Sequence, residues 1–158
     1  MNIFLQSCSR HLRFSHSKAS HLTQRDFLKE NAKDFATQQD VIYVGGGNTQ
    51  FMLSKWRETN FDKVLKEAYE KGTLLAGISA GAMCWFETCF SERHDGAFEE
   101  FEGLGFLKGA FCPHYNEEIR RKAYDNWQTT KSIRPSYTLA DNENLHFRNE
   151  NLLARIII

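Results

Sequence analysis

The residues Gly77-Ile78-Ser79-Ala80-Gly81 set a serine between two glycines in the pattern G-x-S-x-G, after an apolar run and before a stretch of small residues. The chemistry this permits is attack by a hydroxyl. A serine on a strained strand-to-helix turn projects its Oγ outward, and the residues two positions away must lack side chains that would collide with the bend. The helix start that follows points backbone N–H groups at any oxyanion that develops during attack. The plain alternative is a Gly-rich strand-to-helix turn without chemistry. The strand expected before Ser79 and the helix expected after it favour the nucleophile.

A second turn, Gly45-Gly46-Gly47-Asn48-Thr49, ends the apolar run Val41-Ile42-Tyr43-Val44. If both runs are strands of one parallel sheet, the two turns share its carboxyl edge, where α/β sites are built. Glycines let backbone approach a ligand closely, so the amides of Gly46 and Gly47 could supply one oxyanion donor and the N–H of Ala80 the other. A phosphate loop or a simple tight turn is the competing reading. The turn matches neither G-x-G-x-x-G nor G-x-x-x-x-G-K-[ST], which leaves nucleotide binding weakly supported. Asn48 is placed to cap the next helix and to support this turn.

A serine hydroxyl needs a base, because it is almost wholly protonated at neutral pH. Six histidines compete. His11, His16 and His21 fall in the polar N-terminal stretch, His94 in a loop and His146 in a hairpin strand. His114 follows Pro113 at the end of the apolar run from Phe106 to Cys112, which again places it at a carboxyl edge. Two carboxylates could orient its imidazole. Asp141 gives the chain order Ser, His, Asp, and Asp95 gives Ser, Asp, His. Asp141 is preferred, because the end of a strand holds it rigidly.

These side chains require elements to hold them. Val41–Val44 is expected as a strand buried on both faces, followed by a helix carrying Phe51, Leu53 and Trp56. Asp62 is expected to cap a helix that stops at Gly72. Then come a strand over 73–78, a helix containing Met83-Cys84-Trp85-Phe86, and a loop from Asp95 to Gly105. A strand over 106–112 follows, with a helix over about 117–128 whose inner side is Ile119, Ala123 and Trp127. Tyr137–Ala140, 145–147 and 152–158 read as strands, the last two joined by a turn at Asn149-Glu150-Asn151. Alternating strands and helices predict one α/β domain over 1–158, with a mainly parallel sheet flanked by helices. Its first forty residues read as irregular, apart from a helix over about 24–37 capped by Thr23, and 41–158 form the core that holds the site.

Composition narrows the function classes. The 158 residues carry 20 Lys plus Arg against 20 Asp plus Glu, so no overall field favours nucleic acid or an anionic membrane. No apolar run approaches the roughly 20 residues of a spanning helix. The four cysteines form no C-x-x-C pair and no metal-ligand spacing, as expected of reduced thiols in the cytoplasm. The three tryptophans are expected in the core. Neither a metal nor an organic cofactor is called for by this residue set.

Taken together, VIYVGGGNT, GISAGA, GLGFLKGAFCPHY and TLADNENLHF resemble the peptidase E family of serine peptidases, from about Gln39 to the end of the chain. The resemblance implies a fold like class I glutamine amidotransferases (flavodoxin-like), with serine in place of cysteine at the elbow. It carries the nucleophile onto Ser79, the histidine onto His114, and an acidic third member, commonly Glu in the family, onto Asp141. Asp95 is the nearest counterpart of a loop Asp proposed as functional there. The oxyanion donors fall on Gly46, Gly47 and Ala80. The implied substrate is a short peptide, with Asp-containing peptides as the family expectation and Arg93 as the nearest basic residue. Only 44 residues precede Gly45, fewer than family members typically carry. This implies a missing strand–helix–strand unit at a sheet edge, and either a homodimer or a truncated product. Two rival readings stand beside the peptidase: an α/β-hydrolase esterase using Asp95, and a non-catalytic remnant kept for binding or assembly.

Overall fold

The computed structural model describes residues 2–6 (by their backbone), 20–23, 26, 32–93 and 95–158. The described elements are β1 (Asn2–Gln6), α1 (Ala32–Thr37), β2 (Val41–Val44), α2 (Thr49–Glu58), α3 (Phe61–Glu70), β3 (Leu74–Ile78), α4 (Ala80–Met83) and β4 (Phe86–Glu92), followed by β5 (Phe98–Glu102), β6 (Leu107–Cys112), α5 (Glu118–Lys131), β7 (Ser136–Thr138), β8 (Glu143–Arg148) and β9 (Asn151–Ile157). The α/β class read from the sequence holds. The strands form two mixed sheets, ordered β2-β3-β1-β8-β9 and β5-β4-β6-β7. β2, β3 and β1 run parallel in the first, as do β4, β6 and β7 in the second. Antiparallel strands complete one side of each.

Aromatic side chains join the two sheets. Phe147 of β8 meets Phe86 of β4 at 5.9 Å and Tyr137 of β7 at 5.2 Å, and Phe86 stacks on Phe111 of β6 at 5.1 Å between centroids. The tryptophans are core residues, as expected. Trp85 is wholly buried and stacks on Trp56 and Phe106, and Trp127 closes a second cluster with Phe90 and Tyr124. Among the described residues no helix is long and apolar enough to cross a membrane.

Several expectations are corrected by long-range pairing. The region read as irregular contributes β1, which lies inside the first sheet between β3 and β8. Of the helix expected over 24–37, residues 32–37 are helical, and residues 24, 25 and 27–31 lie outside the described residues. β2 is an edge strand rather than one buried on both faces, and Tyr43 is 44% exposed. Met83 ends a helix of one turn, and Phe86 opens β4, because Phe86, Cys89 and Phe90 bury their side chains by pairing with β6. The segment read as a loop holds β5, drawn into an antiparallel hairpin with β4. α3 is entered from Asn60 in a left-handed conformation (φ 56°), so Asp62 supplies first-turn charge instead of a cap. On α5, Tyr124 and Trp127 face inward while Ile119 is 78% exposed.

Asn48 caps α2 as expected, its Oδ1 accepting the Phe51 amide at 2.8 Å. Asn48→Ala is expected to cost about 1 kcal/mol of stability, measured as a shift in the urea midpoint at constant slope, and Asn48→Asp should retain most of it.

Candidate active site

The geometry at Ser79 follows from β3 meeting α4 with no residue to spare. Ser79 takes φ 53° and ψ −116°, outside the regions an L-residue ordinarily occupies. Such a conformation costs on the order of 1–3 kcal/mol and persists only where its surroundings impose it. The two glycines of the pattern show how. A Cβ on Gly77 would sit 1.9 Å from the Gly81 carbonyl oxygen, and one on Gly81 would sit 2.2 Å from the Val44 carbonyl oxygen. Backbone fills the space on both sides of the bend, and the Ser79 hydroxyl is left pointing away from it. That hydroxyl does not cap α4.

The parallel pairing of β2 with β3 brings Val44 beside Gly77, so the glycine turn after β2 lies next to Ser79. A Cβ on Gly46 would lie 3.3 Å from Ser79 Cβ, so glycine is what lets this backbone pass the serine side chain closely. Gly47 continues the turn at φ 142°, and Ala80 opens α4 in the buried interior.

His114 comes from the other sheet. Beyond the paired ends of β6 and β7, the Leu139 amide donates to the Cys112 carbonyl at 3.0 Å and the Tyr115 amide to the Leu139 carbonyl at 2.9 Å. This continued ladder brackets His114, which takes φ 55°, and brings residues 139–141 beside it. His114 Nε2 lies 2.9 Å from Ser79 Oγ and its Nδ1 lies 2.6 Å from Asp141 Oδ1. A carboxylate can only accept, so Nδ1 carries the ring hydrogen and Nε2 is left to accept from the serine hydroxyl. The imidazole is about a quarter exposed and the Asp141 side chain 42% exposed. Ser79, His114 and Asp141, separated in the sequence, thus form one hydrogen-bonded row. It spans two sheets rather than the single sheet edge expected of one parallel sheet.

Asp141 stands in a turn three residues past β7, and that turn is fastened at several points. The Ala140 amide donates to Glu143 Oε2 at 2.8 Å, and the Glu143 amide donates back to the Ala140 carbonyl at 3.0 Å. Arg155 of β9 reaches Glu143 and donates to the Thr138 carbonyl. Asn116 holds Asp141 directly: its Nδ2 donates to Asp141 Oδ2 at 3.0 Å, and its Oδ1 accepts the Asp141 amide at 3.1 Å. Neither Asn116 nor Glu143 stands out in the sequence. The available signal for Asn116 was an amide side chain two residues after the histidine.

Asp95 is placed elsewhere, in the β4–β5 turn, paired with Arg93 at 2.9 Å and accepting the Ala97 amide at 3.1 Å. Arg93 and Arg120 line a cleft of about 340 Å³ together with Gly47, Asn48, Glu92 and Phe101. Arg93 also reaches Glu99, and Arg120 pairs with Glu117 while lying over the Phe98 ring. Cys112, two residues before His114, is buried, and burial pushes its thiol up to about 12. Cys84 and Cys89 are likewise buried thiols. Among the described residues no group of three or more His, Cys, Asp or Glu side chains is placed to hold a metal ion. His11, His16 and His94 lie outside the described residues.

The chain is 41% identical over 138 residues to the uncharacterized peptidase YgaJ of Bacillus subtilis (strain 168), an alignment covering 87% of this chain and 60% of that protein. It is 27% identical over 143 residues to the uncharacterized peptidase Lmo0363 of Listeria monocytogenes, covering 82% of this chain and 68% of that one. Its fold matches the crystal structure of a candidate peptidase E protein from Listeria monocytogenes EGD-e with a TM-score of 0.71 at 19% identity, over 99% of this chain and 98% of that chain. The profile of peptidase family S51 matches residues 2–155, and the chain belongs to that family.

Proposed function

We propose that this chain is a serine peptidase that cleaves short peptides through an acyl-enzyme on Ser79. The observation that carries the reading is the row Ser79 Oγ, His114 Nε2, His114 Nδ1, Asp141 Oδ1, with its two contacts of 2.9 and 2.6 Å. As Ser79 Oγ bonds to the scissile carbonyl carbon, His114 Nε2 takes the hydroxyl proton, and Asp141 stabilises the imidazolium that forms. The carbonyl electron pair becomes an oxyanion facing the amides of the Gly46–Gly47 turn and Ala80, donors whose individual worth is typically about 10²–10³ in rate. The C–N bond then breaks while His114 returns the proton to the leaving amine. Water, deprotonated by the same imidazole, hydrolyses the ester.

Arg93 and Arg120 in the cleft beside Gly47 support an acidic residue in the substrate. A substrate carboxylate would compete there with Asp95, Glu99 and Glu117. Asp-Xaa dipeptides are therefore expected to be cleaved faster than Asn-Xaa dipeptides of the same length. Three buried reduced thiols support a cytoplasmic setting.

The test compares Asp141→Asn with Asp95→Ala in turnover of Asp-Xaa dipeptides. The first change leaves the imidazole in the wrong tautomer and is expected to lower kcat by about 10⁴. The second removes a partner of Arg93 and is expected to change kcat by less than about threefold. Equal losses from the two would exclude Asp141 as the carboxylate that orients His114.

A further inference from the structure

The two oxygens of Asp141 have different neighbours. Oδ1 faces His114 Nδ1 at 2.6 Å, and Oδ2 accepts from Asn116 Nδ2 at 3.0 Å. The same amide accepts the Asp141 backbone N–H at 3.1 Å, so Asn116 grips this residue by its main chain and its side chain together. Asn116 is itself set by the turn that carries the base: the Glu117 amide donates to the His114 carbonyl at 2.9 Å, which fixes the three residues between His114 and α5.

A carboxylate in this position needs such a grip. The terminal torsion of an aspartate is broad and two-fold, the Asp141 side chain is 42% exposed, and water competes for both of its oxygens. Unheld, the group would rotate and exchange its bond to the imidazole for solvent. We propose that Asn116 is a positioning residue for the Ser79–His114–Asp141 row: its hydrogen bond to Oδ2, together with its bond from the Asp141 amide, holds Oδ1 on the histidine. This inference rests on the catalytic reading above and adds a fourth side chain to it.

The experiment follows the rate at which a fluorophosphonate labels Ser79, as a function of pH, in wild type, Asn116→Ala and Asn116→Asp, with thermal unfolding of each. Labelling reads the nucleophilicity of the serine and needs no knowledge of the substrate. Asn116→Ala is expected to label about tenfold more slowly at its plateau, with an unfolding midpoint close to wild type because the residue is exposed. Asn116→Asp sets a second carboxylate beside Asp141. The added negative charge favours the imidazolium, and since attack requires neutral imidazole, the acid limb should move to higher pH by about one unit. A role confined to folding would lower the amount of labelled protein in Asn116→Ala and leave the plateau rate of the folded fraction unchanged. Should either variant unfold, proton NMR of the wild type decides: a held Asp141 gives His114 a far-downfield, slowly exchanging Nδ1 proton, and a freely exchanging one would overturn the proposal. Wild-type protein that labels, with Asn116→Ala matching its plateau rate, would overturn it while leaving the catalytic reading intact. Wild-type protein that does not label would sink both.

Discussion

Replacing Ser79 by alanine is expected to lower turnover of any peptide substrate by about 10⁶, the scale on which loss of a serine nucleophile acts when base and oxyanion donors remain. The change removes one oxygen atom and its 2.9 Å contact with His114 Nε2. Alanine inherits the same φ of 53° and carries the same Cβ, so the strain of the bend is neither relieved nor increased. Stability should therefore stay within about 0.5 kcal/mol of wild type, as for a small change that opens no cavity. Steady-state turnover and a urea unfolding curve on the same preparation check both halves. A collapse of turnover with an unchanged unfolding midpoint is the expected pattern. Joint loss would mean that the serine serves the fold and not the chemistry.

The largest expected effect on stability comes from the glycines that enclose that serine. In Gly77→Ala the new methyl carbon would stand 1.9 Å from the Gly81 carbonyl oxygen and 2.8 Å from the Ala82 amide nitrogen. In Gly81→Ala it would stand 2.2 Å from the Val44 carbonyl oxygen and 2.6 Å from that of Gly45. In both cases the obstacle is backbone, which cannot turn aside as a flexible side chain would. β3 and α4, or α4 and the β2 turn, must separate, which forfeits the packing of Ala80, Ala82 and Met83 in the interior. Each substitution is expected to destabilise by more than about 3 kcal/mol, the upper range of overpacking in a filled core. Gly45→Ala is the matched control, since a Cβ there meets nothing within 4 Å. It should change the unfolding midpoint by less than about 0.5 kcal/mol.

The same steric code explains why the centre of the site was legible in the sequence. Gly77-Ile78-Ser79-Ala80-Gly81 states a local demand, that two positions have no side chain, and local demands can be read from residue types. His114 was legible for a related reason: Pro113 and the apolar run before it mark the end of a strand. The choice between Asp141 and Asp95 was not local. Asp141 comes beside His114 through the parallel pairing of β6 with β7, in which Phe111 meets Tyr137. Asn116 was missed because nothing in Cys112-Pro113-His114-Tyr115-Asn116 says that the chain returns at Asp141 to meet it. β5 was hidden for another reason. Phe98-Glu99-Glu100-Phe101-Glu102 lacks strict alternation, and its glutamates are held by distant partners, Glu100 by Trp127 Nε1 and Lys131. Ile119 misled in the opposite sense: it has helical spacing with Ala123 and Trp127, yet it precedes the part of α5 that touches the sheet.

The division of the site between two sheets carries a physical consequence. Ser79 follows β3 of the sheet that contains β2 and β3, while His114 and Asp141 follow β6 and β7 of the other sheet. Their registration depends on the aromatic contacts that pack Phe147 against Phe86 and Tyr137. The site is thus only as well formed as the core beneath it.

Whether Ser79 is the nucleophile is decided most directly by covalent labelling of the purified chain with a fluorophosphonate, followed by mapping of the modified peptide. Stoichiometric modification at Ser79 is predicted, lost in Ser79→Ala and strongly slowed in His114→Ala. A folded wild-type chain that stays unmodified, or one modified at another serine while Ser79 remains free, would contradict that role.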